Sequence, residues 1–120
     1  MKENFTVSSR TVGSAAVVYP QGYLNNIAGE SLVKECNAYL ERGIRKIVLN
    51  FEKIEFINSI GISLLLSVME RLRNCDGALC FTNISDIYLE TFEMLGLRKF
   101  MCVFKSEDEA LQYLNTAVRP

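Results

Sequence analysis

The stretch from Lys46 to Leu72, KIVLNFEKIEFINSIGISLLLSVMERL, changes its apolar period part-way along, and that change narrows the choice of folds. Over Lys46–Phe51 the side chains alternate. Ile47, Leu49 and Phe51 fall on one face of a strand, and Val48 and Asn50 fall on the other. From Ser59 the apolar residues Ile60, Leu64, Leu65, Val68, Met69 and Leu72 recur at helical spacing, with Glu70, Arg71 and Arg73 outside. A buried strand, a short turn and an amphipathic helix are therefore expected, and the helix starts at Asn58-Ser59-Ile60-Gly61. Backbone N–H groups are unpaired at a helix start and the dipole is positive there, which suits a phosphate.

The flanking segments repeat the alternation of strand and helix. Phe5, Val7 and Ser9 alternate with Thr6 and Ser8 as a half-buried strand, Thr11 to Ser14 reads as a turn, and Ala15 to Tyr19 returns as its antiparallel partner, ended by Pro20-Gln21-Gly22. A helix follows from about Ile27 to Glu41, with Leu32, Val33, Cys36 and Leu40 inward and Gly43 as its stop. After Asp76-Gly77 comes a strand over Ala78–Thr82. A helix from Ser85 or Asp86 then carries Leu89, Phe92 and Leu95 inward, and Met101–Phe104 forms a last strand. Ser106-Glu107-Asp108-Glu109 has the form of a capping box before Ala110, Leu111 and Leu114.

This order predicts an α/β fold in a single domain over 1–120, with an N-terminal antiparallel hairpin and a sheet of about five mostly parallel strands. Right-handed crossovers between neighbouring strands put the helices mainly on one face. Asn50 suggests that the opposite face is less covered. The loop at Asn25 and the turn at Ser59 follow the C-terminal ends of parallel strands, so both belong at the rim where such sheets place ligands and partners.

Several function classes are disfavoured. The formal net charge of −1 leaves no basic stripe for nucleic acid. No apolar run reaches the length of a membrane span, and MKENFTVSS has no apolar h-region, so a cytoplasmic protein without a secretion signal is expected. There is no histidine, no phosphate-binding glycine loop and no paired-acid or metal-ligand spacing, so no catalytic residue, cofactor or metal is predicted. The four cysteines, Cys36, Cys75, Cys80 and Cys102, lie mostly in apolar patterns and read as reduced core thiols. On residue type alone, Ser59 or Asn58 is a helix cap. Ile60 is either a core residue or an exposed contact, and its spacing to Leu64 favours the core.

Three segments give the chain a resemblance to a known family: VVYPQGYLNN after the second strand, KIVLNFEKIEFINSIGISLLL in the centre and LETFEMLGLRKF near the end. Together they resemble bacterial anti-sigma factor antagonists, the stand-alone STAS domains, over nearly the whole chain. The resemblance implies that Ser59 is the position phosphorylated by a cognate anti-sigma kinase. It aligns Gly61 with the family glycine, and Asn58 and Asn25 with two family aspartates. Ile60 stands where the family has a second Ser or Thr. It further implies a non-enzymatic partner switch in which Asn25, Asn58, Ser59, Ile60 and Gly61 meet an anti-sigma factor of the ATPase serine kinase type, with a serine phosphatase as a further partner. Gly61, having no side chain, would let that partner approach the turn. The alternative is a STAS interaction subunit of a signalling or transport assembly that is not phosphorylated, and the residues that favour it are the two asparagines and Ile60.

Overall fold

The computed structural model describes residues 5–117. Strands β1 (Thr6–Val12) and β2 (Ala15–Leu24) form the antiparallel hairpin. They are followed by α1 (Asn26–Glu41), β3 (Lys46–Asn50), β4 (Ile54–Ile57), α2 (Ser59–Asn74), β5 (Ala78–Thr82), α3 (Asp86–Met94), a 3-10 turn (Arg98–Phe100), β6 (Cys102–Phe104) and α4 (Glu107–Ala117). The sheet has six strands, with β1-β2-β3-β5-β6 side by side and β4 paired to β2 off that path. All pairs but the first are parallel.

Strand β2 does not stop before Pro20, as the sequence suggests, but runs on to Leu24. It pairs with β3 over Ala15–Val18 and with β4 from Gly22 to Leu24. Pro20 falls in the gap between these two ladders, where its missing N–H leaves no bond on that side unmade. The chain steps from β3 to β4 through a turn in which Ile54 N–H donates to the Phe51 carbonyl (3.1 Å), and Gly22 N–H donates to the Lys53 carbonyl (3.0 Å). Strand β4 was not foreseen. It has four residues, and both Glu55 and Phe56 are exposed, so it shows no clean alternation.

One core lies between the sheet and three helices. Ala16, Val18, Ile47, Leu49, Phe51, Leu79 and Phe81 pack against Leu32, Cys36 and Tyr39 of α1, Leu65, Val68 and Leu72 of α2, and Phe92 of α3. Ile47, Leu49 and Phe51, the strand face read from the sequence, and Leu65 and Val68 of the helix's apolar stripe are buried together there. Helices α1 and α2 pack closely at Gly29, where a Cβ would run into the side chain of Leu64. Leu95 does not point inward: α3 ends at Met94, and Leu95, its C-cap, is exposed.

The second face carries α4, whose Ala110 and Leu114 cover Ala15, Val17, Val48 and Cys80. Asn50 therefore does not mark an open face. It is buried, its Oδ1 accepts from Glu52 N–H (2.8 Å), and its Nδ2 donates to Glu107 Oε2 (2.7 Å) at the start of α4. The other Glu107 oxygen accepts from the Tyr19 hydroxyl (3.0 Å) and from Arg10 Nη2 (2.9 Å). One carboxylate thus ties α4 to β1, β2 and β3. Ser106 Oγ accepts from Glu109 N–H (3.2 Å) as the capping box predicts, while the Glu109 carboxylate reaches Lys105 N–H (3.2 Å). Of the cysteines, Cys36 and Cys80 are buried as expected, Cys75 and Cys102 are half-buried, and all four are free.

Candidate functional site

The parallel ladder of β2 and β4 ends at the registered pair Leu24 and Ile57, and each strand then turns straight into a helix. The next residues are Asn25 and Asn58, and both are N-caps. Asn25 Oδ1 accepts from Ala28 N–H (3.0 Å), and Asn58 Oδ1 accepts from Gly61 N–H (2.8 Å). Asn58 N–H also donates to the Leu24 carbonyl (3.1 Å), which links the two corners. Two helix N-termini therefore open at the same end of the sheet, and neither first turn contains an acidic residue. The positive end of each dipole is left without a side-chain counter-charge on its own first turn.

Because Asn58 is the cap, Ser59 is not. Ser59 occupies the first helical position and is exposed, and its hydroxyl has no hydrogen-bond partner among the described residues. Ile60 is 50% exposed, which corrects the expectation of a core position; inward contact at this turn is made by Gly61 and, further along, Leu65. Gly61 is buried, and a Cβ there would collide with the Leu24 carbonyl oxygen. Its lack of a side chain thus serves the packing of α2 on β2.

Apolar side chains that the sequence reading did not single out surround this corner. Tyr23 and Phe56 are registered neighbours on β2 and β4, with ring centroids 5.9 Å apart, and are 42% and 50% exposed. Ile27, on the first turn of α1, is 72% exposed. Recognising β4 as a strand was the signal needed to pair Phe56 with Tyr23. The rim is thus a polar, uncharged centre of Asn25, Asn58 and Ser59 with exposed apolar groups around it, a composition typical of surfaces that bind protein.

The model of the STAS domain matches residues 6–110. The chain belongs to the STAS domain family. It is 30% identical over 98 residues to BtrV of Bordetella bronchiseptica, a protein named as an anti-sigma factor antagonist, covering 82% of this chain and 84% of that one. Among solved structures it is similar to the anti-sigma factor antagonist SpoIIAA in its unphosphorylated form, with a TM-score of 0.77, 24% identity and coverage of 97% of this chain and 100% of the other. It is also similar to the Bacillus cell fate determinant SpoIIAA in the phosphorylated form, with a TM-score of 0.70, 25% identity and coverage of 91% and 97%. Among the described residues, no helix of this STAS domain is long and apolar enough to cross a membrane.

Proposed function

We propose that this STAS domain is an anti-sigma factor antagonist of the cytoplasm, controlled at Ser59. Unmodified, it binds a cognate anti-sigma factor of the ATPase serine kinase type through the rim around Asn25, Asn58, Ser59 and Ile60, and so frees a sigma factor. The kinase activity of that partner phosphorylates Ser59 and ends the complex, and a serine phosphatase resets it. The domain acts as substrate and binding module, not as an enzyme. The observation that carries this reading is the exposed Ser59 hydroxyl at the first position of α2, with Asn58 holding the cap. That SpoIIAA, a similar protein, has a phosphorylated and an unphosphorylated form supports it.

The electrostatics give the switch its sign. A phosphoryl group adds roughly −1.5 to −2 charges at neutral pH. At a helix N-terminus the domain tolerates that charge. Inside a closed protein interface the same charge must be desolvated without a partner, which is strongly unfavourable. One residue can therefore be neutral for folding and decisive for binding. The test is incubation with the cognate kinase and ATP followed by mass spectrometry, beside binding titrations. Ser59→Ala should bind and stay unmodified, and Ser59→Glu should bind more than tenfold more weakly, about 1.4 kcal/mol. Equal affinities would leave Ser59 an ordinary surface residue.

A second reading, a STAS interaction subunit of a signalling or transport assembly that is never phosphorylated, draws on the neutral caps Asn25 and Asn58 and on Ile60 beside the serine. Absence of any phosphate on Ser59 after exposure to the kinase that binds it would favour this reading.

A further inference from the structure

Cys80 and Cys102 are registered neighbours on the parallel strands β5 and β6. Registered residues project to the same side of the sheet, and these two face α4. Neighbouring strands lie about 4.7–4.9 Å apart, inside the Cα separation of about 4.4–6.8 Å that a disulfide spans. Strand β6 has three residues and stands at the sheet edge, bonded to β5 alone, so it can rotate by the small amount that bond formation requires. Access differs sharply between the two: Cys80 is fully buried and Cys102 is half-buried, with its Sγ 4.0 Å from the Tyr113 hydroxyl of α4.

We propose that Cys80 and Cys102 are a reversible thiol–disulfide pair, with Cys102 as the attacking sulfur and Cys80 as the resolving one, oxidised by a hydroperoxide. The division of labour follows from their surroundings. A hydrogen bond from the Cys80 thiol lowers the pKa of Cys102 against the opposing effect of burial, and the Tyr113 hydroxyl adds to it. The same hydrogen bond, together with burial, pushes Cys80 up and keeps it protonated. The thiolate is the nucleophile, so Cys102 reacts first.

In the first step the Cys102 thiolate attacks one peroxide oxygen and the O–O bond breaks. The leaving hydroxide takes a proton to become water, and Cys102 becomes a sulfenic acid. In the second step Cys80 gives up its proton and its sulfur attacks that of Cys102. The S–O bond breaks, and the hydroxide leaves as a second water with the proton from Cys80. Two thiols and one hydrogen peroxide become one disulfide and two waters, and a dithiol reductant reverses the change. The bond pins the edge strand to β5 and withdraws the Cys102 sulfur from Tyr113, so oxidation is felt where α4 seats.

Cys75 is an internal control. It too is half-buried, but its thiol donates to the Leu72 carbonyl (3.5 Å). The experiment treats the reduced full chain with hydrogen peroxide, quenches with N-ethylmaleimide at intervals and maps linked peptides under non-reducing conditions. The expected result is an intrachain Cys80–Cys102 link that forms more than tenfold faster than any oxidation at Cys75 or Cys36 and disappears with dithiothreitol. In Cys80→Ser, dimedone should trap a sulfenic acid on Cys102. Oxidation of Cys75 as fast as Cys102, links only between chains, or over-oxidation of Cys102 without a link would overturn the proposal. The wild-type map decides the matter even if Cys80→Ser does not fold.

Discussion

Asn25 and Asn58 each follow directly on one member of the registered pair Leu24 and Ile57, and each caps the helix that begins there. The two corners are one structural unit built from neighbouring strands. Replacing either asparagine by Ala removes a hydrogen bond to an otherwise unpaired helix N–H and should cost about 0.5–2 kcal/mol. Urea unfolding of Asn25→Ala and Asn58→Ala measures this, and a midpoint equal to wild type for Asn58→Ala would show that the Gly61 bond contributes nothing.

Asn58→Asp should behave differently. A carboxylate oxygen can accept from Gly61 N–H as the amide oxygen does, and its charge is favoured at the helix start by about 0.3–1 kcal/mol. An acid next to Ser59 also orients the hydroxyl and is a stronger base than an amide. In single-turnover assays with cognate kinase, Asn58→Asp, alone or with Asn25→Asp, should raise the rate of Ser59 phosphorylation. The affinity of the unmodified form should stay within about threefold, or roughly 0.7 kcal/mol. A slower rate would mean that the asparagines are fitted to this partner.

Leu65 and Ile60 lie on the same helix with opposite duties. Leu65 is 3% exposed within the main core, so Leu65→Ala should cost about 2–5 kcal/mol. Ile60→Ala should change stability by no more than about 0.5 kcal/mol, yet weaken binding to the partner. Thermal unfolding beside a titration separates the two, and a large loss of stability in Ile60→Ala would return that residue to the core.

Gly61 and Gly29 both mark close approaches, but against different obstacles. At Gly61 the obstacle is the Leu24 backbone, which cannot move without disturbing the β2–β4 ladder. At Gly29 it is the end of the Leu64 side chain, which can change rotamer. Gly61→Ala should therefore cost about 1–3 kcal/mol from overpacking. Gly29→Ala should cost less, because Ala regains about 0.5–1 kcal/mol of helix preference over Gly. The order of the two midpoints in denaturant checks this.

Glu107 should make stability depend on acid. Burial works against its charge, but hydrogen bonds from Asn50, Tyr19 and Arg10 together outweigh burial and hold the carboxyl below its ordinary value of 4.5. The unfolded chain then takes up the proton more readily than the folded one. The stabilising contribution is complete above about 4.5 and is lost as the pH falls through the lower, folded value. Glu107→Gln should unfold at a lower temperature than wild type at pH 7, and the gap should narrow as the pH falls below the ordinary carboxyl value of 4.5. A gap that is constant with pH would point to packing and not charge.

The strands and helices were legible wherever local period and burial agree. The strands Lys46–Asn50 and Ala78–Thr82 are in that class, as short runs covered on both faces, and so is the helix from Ser59, with its single apolar stripe. The misreadings have physical causes. Pro20 looks like a strand end because a proline cannot serve two ladders, and only the tertiary structure shows that its neighbour changes from β3 to β4 at that point. Asn50 looks like a solvent residue because its partner, Glu107, lies 57 positions further along the chain. Ile60 carries the helical spacing of a core residue, but in the first turn of α2 it is Gly61 that packs on β2, and Ile60 is left exposed. The pair of helix starts at Asn25 and Ser59 was legible from strand order alone. The choice of Asn58 over Ser59 as the cap, the exposed Tyr23 and Phe56, and the packing of Gly61 on Leu24 required the structure.

Strand β2 has two successive parallel partners, and the second of them leads directly into Ser59. Parallel pairings of this kind join segments far apart in sequence and close late, after the intervening loop entropy has been overcome. The serine corner therefore has its shape only when β2 is clamped on both stretches and α2 is seated on Leu24. A partner that reads this corner selects molecules whose sheet is complete. A chain caught half-assembled, with its apolar strands still open, offers no such surface and stays out of the circuit.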